Sequence, residues 1–118
     1  MVIPIPIGEQ KMQQRGYNQA ERLAKPFSER LNLAYSSDAL IRINETSSQV
    51  GLNQDERREN VRQAFVARAN QVNGKRILLI DDVFTSGATL EAASLELMGA
   101  GASQVHCLTL AKVNRLIV

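Results

Sequence analysis

The sequence predicts an α/β domain with a mainly parallel central sheet flanked by helices. Residues 76–110 have the pattern of a strand, a helix and a second strand, with the length that a parallel crossover needs. The apolar run 77–80 lacks polar alternation, which is typical of a strand buried on both faces. The chain has 118 residues, 44% of them hydrophobic, so we expect one domain spanning residues 1–118 with a modest core.

The first third of the chain predicts a strand, a loop and a helix. Val2 to Ile7 favours a short strand, although its two prolines require a sheet edge or the exit into a loop. A loop is expected over 8–16. From Asn18 to Asn32 apolar residues recur at helical spacing, and Asn18 is a suitable N-cap.

The middle of the chain predicts short elements around a long loop. Ala39 to Ile43 alternates weakly and favours a strand, and the polar stretch 44–53 favours a loop. Asn53 is suited to cap a short helix that has acids in its first turn and arginines further along. Another short strand is expected from Ala64 to Ala67.

The last third supplies the crossover. Asn73-Gly74 indicates a turn before a strand from Arg76 to Ile80. A helix is expected from Ala88 to Met98 and a final apolar strand from Val105 to Leu110. Because β-strands separated by a helix pair in parallel, these elements form the predicted core of the sheet.

The composition of the chain indicates its cellular compartment. The single cysteine, Cys107, excludes an intramolecular disulfide, and its apolar surroundings predict a buried thiol in a reducing compartment. No apolar segment reaches the ~20 residues of a membrane span, and the N-terminus lacks the charged start of a signal peptide. We therefore expect a cytoplasmic protein without a membrane partner.

The charge of the chain gives little evidence about its binding partners. The net charge of +2 and only five aromatic residues do not indicate nucleic-acid binding, which stays open without positive support. Residues 1–76 hold 12 Lys and Arg against 8 Asp and Glu, whereas residues 77–118 hold 2 against 4. A basic half facing an anion site would suit a ligand with several phosphates, and a solvated basic face explains the same distribution equally well.

The most informative segment is 77–89, an apolar run followed by two acids and a turn rich in hydroxyl groups. Asp81 and Asp82 end the run, and buried unpaired carboxylates are costly, so this end of the strand should face a cleft. In the turn, Gly87 lets the backbone approach a ligand, and the helix that follows directs unpaired N–H groups at the same point. The turn's hydroxyl donors are Thr85, Ser86 and Thr89.

Two common nucleotide-binding motifs are absent from this segment. The only Gly-Lys pair, Gly74-Lys75, precedes the strand, whereas a P-loop requires it afterwards. The three spaced glycines of the dinucleotide fingerprint are also missing. A compact phosphate cradle beside two carboxylates remains, which suits a sugar phosphate with Mg²⁺ screening further phosphates.

This segment resembles the motif that binds 5-phosphoribosyl 1-pyrophosphate (PRPP) in type I phosphoribosyltransferases. Residues 15–20, Arg-Gly-Tyr-Asn-Gln-Ala, are similar to the ComF/GntX-like competence family in order and spacing. The resemblance covers nearly the whole chain and implies the type I phosphoribosyltransferase fold, with a Rossmann-like strand order left open. The further residues that carry it are Thr46, Gln49, Leu52, Arg57, Asn60, Ala64 and Phe65.

The resemblance implies roles for particular residues. Asp81 and Asp82 would hold the ribose hydroxyls and contact Mg²⁺, partly indirectly. Arg15 and Arg57 are candidates for the pyrophosphate and for a lid over the site, and Lys112, just past the last strand, for the acceptor side. The cradle for the 5-phosphate would comprise Thr85, Ser86, Gly87, Ala88 and Thr89.

The sequence does not identify a general base for the transfer, and it departs from the family in its N-terminal part. Thr85 stands where some phosphoribosyltransferases have an acid, so no general base is identified. His106, the only histidine, lies in the last strand and is expected to be a packed or edge residue. The cysteine-rich zinc segment that commonly precedes this domain is absent, and the first strand begins within two residues of Met1. We expect the sequence to be a fragment or a minimal member of the family. Self-association would then help to cover exposed sheet or helix faces.

The implied function is transfer of ribose 5-phosphate from PRPP, with Mg²⁺, to an unidentified acceptor, linked to DNA uptake. The alternative is a non-catalytic PRPP-sensing or adaptor domain that acts through protein partners of the transformation machinery. A third hypothesis, direct binding of single-stranded DNA, depends only on the basic half of the chain.

Overall fold

A computed structural model describes residues 1–43, 53, 55–56, 64–84 and 86–112. Its five strands and four helices in these ranges alternate in the manner of an α/β domain. In chain order they are β1 (Val2–Pro4), α1 (Glu9–Arg15), α2 (Gln19–Arg30), β2 (Leu40–Arg42), β3 (Phe65–Ala67), α3 (Ala69–Val72), β4 (Arg76–Phe84), α4 (Ala88–Gly99) and β5 (Gln104–Lys112).

The main sheet has the strand order β1-β4-β5, and both pairs are parallel. Val2 lies opposite Leu78, and Asp81 lies opposite Thr109 on β5. A separate antiparallel pair joins β2 to β3 and places Arg42 opposite Phe65. The predicted α/β class and the parallel crossover over 76–110 are confirmed.

Apolar side chains cover both faces of β4. Ile77 and Leu79 face a core that includes α4, the β2–β3 pair and α3. Ile80 packs on the opposite face against Val2 and Ala24, and α2 covers this side. Alternate burial on two faces is what an inner strand of a parallel sheet requires, and it explains the unbroken apolar run.

Asn18 joins α2 to the end of β1. Its Oδ1 accepts a hydrogen bond from the N–H of Ala20 at 3.0 Å, and its Nδ2 donates to the carbonyl of Ile5 at 3.0 Å. Asn18 is buried, so both polar ends of the amide find partners where water cannot reach them easily. The predicted helix and its cap are confirmed, and Pro26 lies inside the helix.

The loop expected over 8–16 is wrong, because Glu9–Arg15 form helix α1. Glu9 lies in its first turn and Arg15 in its last, which matches the helix dipole. Gly16 ends the helix in the left-handed region with φ of 77° and donates to the carbonyl of Met12. The sequence of this helix lacks apolar residues at helical spacing, so it gives no periodic signal and none of its residues is buried.

Two strand boundaries also differ from the expectation. β1 ends at Pro4 and not at Ile7. The N–H of Ile5 still donates to the carbonyl of Ile80, but the carbonyl of Ile5 accepts from Asn18 and the N–H of Asp82 bonds to Asp81 Oδ1, so the ladder stops there. β4 continues through Asp81 and Asp82 to Phe84 because its backbone keeps pairing with β5. The two acids therefore lie within the strand and not after it.

The last strand is less covered than its apolar sequence predicts. Cys107 is exposed, which corrects the expected buried thiol, and its Sγ lies 3.4 Å from Ser94 Oγ on α4. In the part of the chain that the structure describes, β5 pairs on one side only, with β4. His106 is exposed on this strand, as expected for an edge residue.

The other predicted elements that the structure describes lie at the expected positions. β2 and β3 lie inside the strands expected at 39–43 and 64–67, and Phe65 is buried in the core. Asn53 accepts from the N–H of Glu56 and donates its own N–H back to that side chain, the reciprocal pattern of a helix start. Across the described ranges, no helix is long and apolar enough to cross a membrane.

Candidate functional site

The two acids of β4 lie near the carboxyl end of the parallel sheet. Asp81 follows Ile77 and Leu79 at alternate positions, so it belongs to the face that α4 covers. Its Oδ1 accepts from the N–H of Asp82 at 2.8 Å, and Asp82 Oδ1 accepts from the N–H of Val83 at 2.9 Å. These bonds orient both carboxylates near the carboxyl end of β4, the edge of the sheet where ligands bind in open α/β folds.

Burial, together with the hydrogen bond and the charge of the neighbouring Asp82 carboxyl, raises the pKa of Asp81 to about 6. The N–H of Asp82 and the guanidinium of Arg42 act in the opposite direction. Desolvation without a full set of partners disfavours the ionised acid. A cation or a group of sugar hydroxyls at this position would supply the missing partners.

Asp81 shares a small pocket with the start of α4. Its volume is about 100 Å³, well below the ~300–1,000 Å³ that encloses a whole small molecule. The size suits one chemical group of a larger ligand. The lining residues are Asp81, Val83, Phe84, Gly87, Thr89 and Leu90.

Gly87 shapes the wall of this pocket and precedes α4. Its φ of 80° is left-handed, and a Cβ at this position would lie 3.0 Å from Cζ of Phe84. The positive φ and the nearby Phe84 ring both favour glycine at this position. Ser86 Oγ accepts from the N–H of Ala88 at 3.3 Å, whereas the first-turn N–H groups that follow have no carbonyl partner within the helix. The start of α4 is therefore suited to an anion.

Lys112 is the last residue of β5 and not, as expected, just past the strand. It lies opposite Phe84 in the register of the sheet. Its Nζ is 5.7 Å from the centre of the Phe84 ring, which lines the pocket. The structure thus brings an exposed cation to the rim of the site.

Among the other predicted residues that the structure describes, Asp82, Ser86 and Ala88 adjoin the pocket in sequence but do not line it. Arg15 is exposed in the last turn of α1 and does not line it. Thr85 and Arg57 lie outside the described residues, as do Thr46, Gln49, Leu52 and Asn60 from the resemblance.

His106 lies away from the acids. It is opposite Leu78, three positions before Asp81 along the ladder, which corresponds to about 10 Å of strand. With Met1 and Arg76 it lines a different groove, at the other end of the sheet. The histidine is therefore not positioned to act on a ligand held by Asp81.

Arg42 does not line the pocket, but its charge acts on Asp81, and the sequence did not single it out. It ends β2, its guanidinium carbon lies 5.1 Å from the centre of the Phe65 ring, and its charge acts on Asp81. The available signal was a lone arginine in an alternating strand before a long polar loop. That signal is weak without the pairing of β2 with β3.

The residues match a family model described as "Phosphoribosyl transferase domain" over positions 14–116. The chain belongs to the phosphoribosyltransferase domain family. The match includes Asp81, Asp82 and the turn before α4.

Curated relatives place this phosphoribosyltransferase domain among competence-type proteins. It is 33% identical over 113 residues to Competence protein F of Haemophilus influenzae, covering 94% of the chain and 49% of that protein. It is 35% identical to the DNA utilization protein YhgH of Escherichia coli K12, covering 91% and 48%. Competence protein ComFC of Bacillus subtilis is 32% identical, with 93% and 43% covered. The chain thus spans about half the length of these relatives, and the ComF-like resemblance is confirmed.

A solved structure gives the fold independently. The glutamine PRPP amidotransferase from B. subtilis, complexed with ADP and GMP, superposes with a TM-score of 0.62 at 23% identity. The superposition covers 92% of this chain and 22% of the amidotransferase. At this identity the likeness shows the fold alone, and it confirms the type I phosphoribosyltransferase architecture.

Proposed function

We propose that this domain binds PRPP with Mg²⁺ and transfers ribose 5-phosphate to an acceptor. One observation carries the proposal: Asp81 and the glycine-led start of α4 line the same pocket. Carboxylates accept hydrogen bonds from hydroxyls, and helix N-termini bind anions. A ribose that carries a 5-phosphate presents both kinds of group.

Different parts of PRPP would contact different sides of the pocket. The N–H groups after Gly87, with the hydroxyl of Thr89, would take the 5-phosphate. Asp81 and Asp82 would accept from the ribose hydroxyls. Loss of pyrophosphate builds positive charge on the ribose, and two nearby carboxylates stabilise it.

The two acids fit a magnesium ion that is held mainly by its ligand. Within the described ranges, no group of three or more histidines, cysteines and acids is arranged to hold a metal. Mg²⁺ commonly uses one or two carboxylates together with substrate phosphates and water. Burial beside Asp82 raises the pKa of Asp81, and a cation there would favour its ionised form. Bound there, Mg²⁺ would neutralise charge on the diphosphate.

Calorimetry with PRPP and Mg²⁺ tests the binding half of the proposal. The parent should bind, and the Asp81→Asn/Asp82→Asn double variant should lose most of the heat. Asp38→Asn is a matched control, because Asp38 bonds with Ser36 and Gln71 and does not line the pocket. No heat from the parent, or equal heats from the parent and the double variant, would reject the proposal.

A non-catalytic PRPP sensor is the second candidate function. It is favoured by the absence of an evident general base near Asp81 among the described residues, since His106 lines a different groove. The relatives named for competence and DNA utilization suggest protein partners in DNA uptake. An exposed free thiol at Cys107 suits a cytoplasmic setting.

Pyrophosphate release separates the two candidates once PRPP binding is established. A transferase should release pyrophosphate above background with at least one member of a panel of nucleobases and amines. Lys112→Ala, at the rim of the site, should then change the KM for that acceptor more than the KM for PRPP. A sensor should release none with any acceptor, although it binds PRPP.

A further inference from the structure

Phe84 lies between the acids of β4 and the turn that begins α4. It is the last residue of β4, and the ladder places it opposite Lys112 on β5. Its side chain lines the small pocket together with Asp81 and Gly87. Phe84 is therefore part of the candidate site, although its side chain has no polar group that could bind a phosphate.

The Phe84 ring lies against the backbone of Gly87. A Cβ at Gly87 would lie 3.0 Å from Cζ and 3.1 Å from Cε2 of the ring, so the ring occupies the space that a side chain would need. The N–H groups that would bind the 5-phosphate follow directly, in the first turn of α4. The position of the ring thus limits the position of these donors.

The ring is itself held by contacts on two other elements. Phe84 is partly buried and packs against the core cluster that includes Leu79 of β4 and Leu90 of α4. The Nζ of Lys112 on β5 lies 5.7 Å from the centre of the ring, within the range of a cation–π contact. Aromatic side chains are rigid because they have few rotatable bonds. The packed ring is therefore a firm support for the turn.

We propose that Phe84 is a positioning residue for the phosphate-binding turn, an inference that rests on the function proposed above. The ring holds Gly87, and with it the N–H groups at the start of α4, in the place from which they donate to the 5-phosphate of PRPP. Small displacements matter, because hydrogen bonds weaken steeply when the donor angle falls below about 120°. Leucine at position 84 would still pack on the core, but it lacks both ring atoms that approach Gly87.

The test compares Phe84→Leu with the same substitution at Phe27. Phe27 is also partly buried, packs against Val2, Ala24 and Ile80, and does not line the pocket. Calorimetry with PRPP and Mg²⁺ measures affinity, and urea unfolding measures the stability of each variant. We expect Phe84→Leu to weaken PRPP about 3- to 10-fold, the effect of losing one hydrogen bond to the phosphate. Phe27→Leu, which removes a ring from the opposite face of the sheet, should bind PRPP as the parent does.

A double-mutant cycle with Gly87→Ala tests whether Phe84 acts through the turn. Leucine removes the two atoms that the new Cβ would meet. Phe84→Leu/Gly87→Ala should therefore bind PRPP no more weakly than Gly87→Ala alone. Two independent contributions would instead give losses that multiply in the double variant, and this result would overturn the inference.

The remaining outcomes separate the positioning role from the proposed function. Equal PRPP affinities of Phe84→Leu and Phe27→Leu would reject the role of Phe84 alone. If Gly87→Ala does not fold by circular dichroism, the comparison of the two leucine variants decides. If Phe84→Leu does not fold, Phe84→Met replaces it, since methionine keeps a long apolar side chain without the rigid ring. A parent that binds no PRPP rejects the proposed function itself.

Discussion

At the scale of single residues, Asp81 occupies a position that weakens the fold at neutral pH. Burial raises its pKa from 3.8 to about 6, so the folded state holds the proton more tightly than the unfolded chain does. The stability from this group is complete below the unfolded pKa and is lost as the pH rises through the folded pKa. A chain selected for stability alone would not keep an acid there, which is consistent with a ligand-binding role.

We expect Asp81→Asn to unfold at higher urea concentration than the parent at pH 7.5. The advantage should shrink as the pH falls from about 6 to about 4, the interval between the two pKa values of Asp81. Urea unfolding followed by circular dichroism across this range measures the difference. Asp38→Asn is the control with the opposite sign, because hydrogen bonds from Ser36 and Gln71 lower the pKa of Asp38. A pH-independent difference between the parent and Asp81→Asn would contradict the assignment.

Gly87 is the second residue whose identity the site requires. In Gly87→Ala the new Cβ meets the Phe84 ring and the left-handed φ adds about 1–2 kcal/mol of strain. We expect a loss of stability of that size together with weaker phosphate binding at the start of α4. Gly99→Ala, in the same helix, has no atom within 4 Å of its Cβ and should leave stability unchanged or raise it by up to about 1 kcal/mol. Denaturation of both variants compares them directly, and equal effects would count against the role of Gly87.

At the scale of elements, the join between β1 and α2 depends on one buried amide. Asn18→Ala removes both the cap acceptor for Ala20 and the donor to Ile5. We expect a loss of about 2 kcal/mol, since a cap and a buried carbonyl partner disappear together. Asn18→Ser keeps a cap acceptor without a buried charge and should recover part of the loss. If the two variants are equally stable in urea, the cap does not contribute.

The elements that could be predicted from sequence are those with strong periodicity or local motifs. The 76–110 crossover combines an apolar run, a helical period and a second apolar run, and all three are present. The site residues Asp81, Gly87 and Thr89 are close in sequence, so their shared pocket follows from one strand and one helix start. Helix α1 was missed because nothing in it is buried, and the length of β4 because its charges interrupt the apolar pattern while backbone pairing continues.

Long-range contacts account for what sequence could not predict. The charge of Arg42 acts on Asp81, and the position of this arginine depends on the pairing of β2 with β3 and on Phe65 in the core. The exposure of Cys107 depends on what covers β5, which no local pattern encodes. These features arise from packing between segments far apart in the chain, and tertiary context commonly overrides local preference in strands.

At the scale of the whole molecule, β5 is the most exposed part of the sheet. Leu110 is 74% exposed and Leu108 43%, and both lie on a nine-residue strand with a single charged residue, Lys112. Among the described strands, β5 pairs only with β4, so its other edge presents unpaired N–H and C=O groups. A long apolar edge of this kind promotes pairing between copies.

We therefore expect the 118-residue chain to self-associate through β5 as its concentration rises. Leu110→Lys places a charge on the strand and should shift the molecule toward the monomer, with little change in stability because the side chain is already solvent-exposed. Leu31→Lys adds the same charge at another exposed leucine, beside the end of α2, and should not alter association. Sedimentation velocity over a concentration series distinguishes the two variants. Equal association of all three proteins would place the contact elsewhere, and a parent that stays monomeric would show that the exposed edge is tolerated in water.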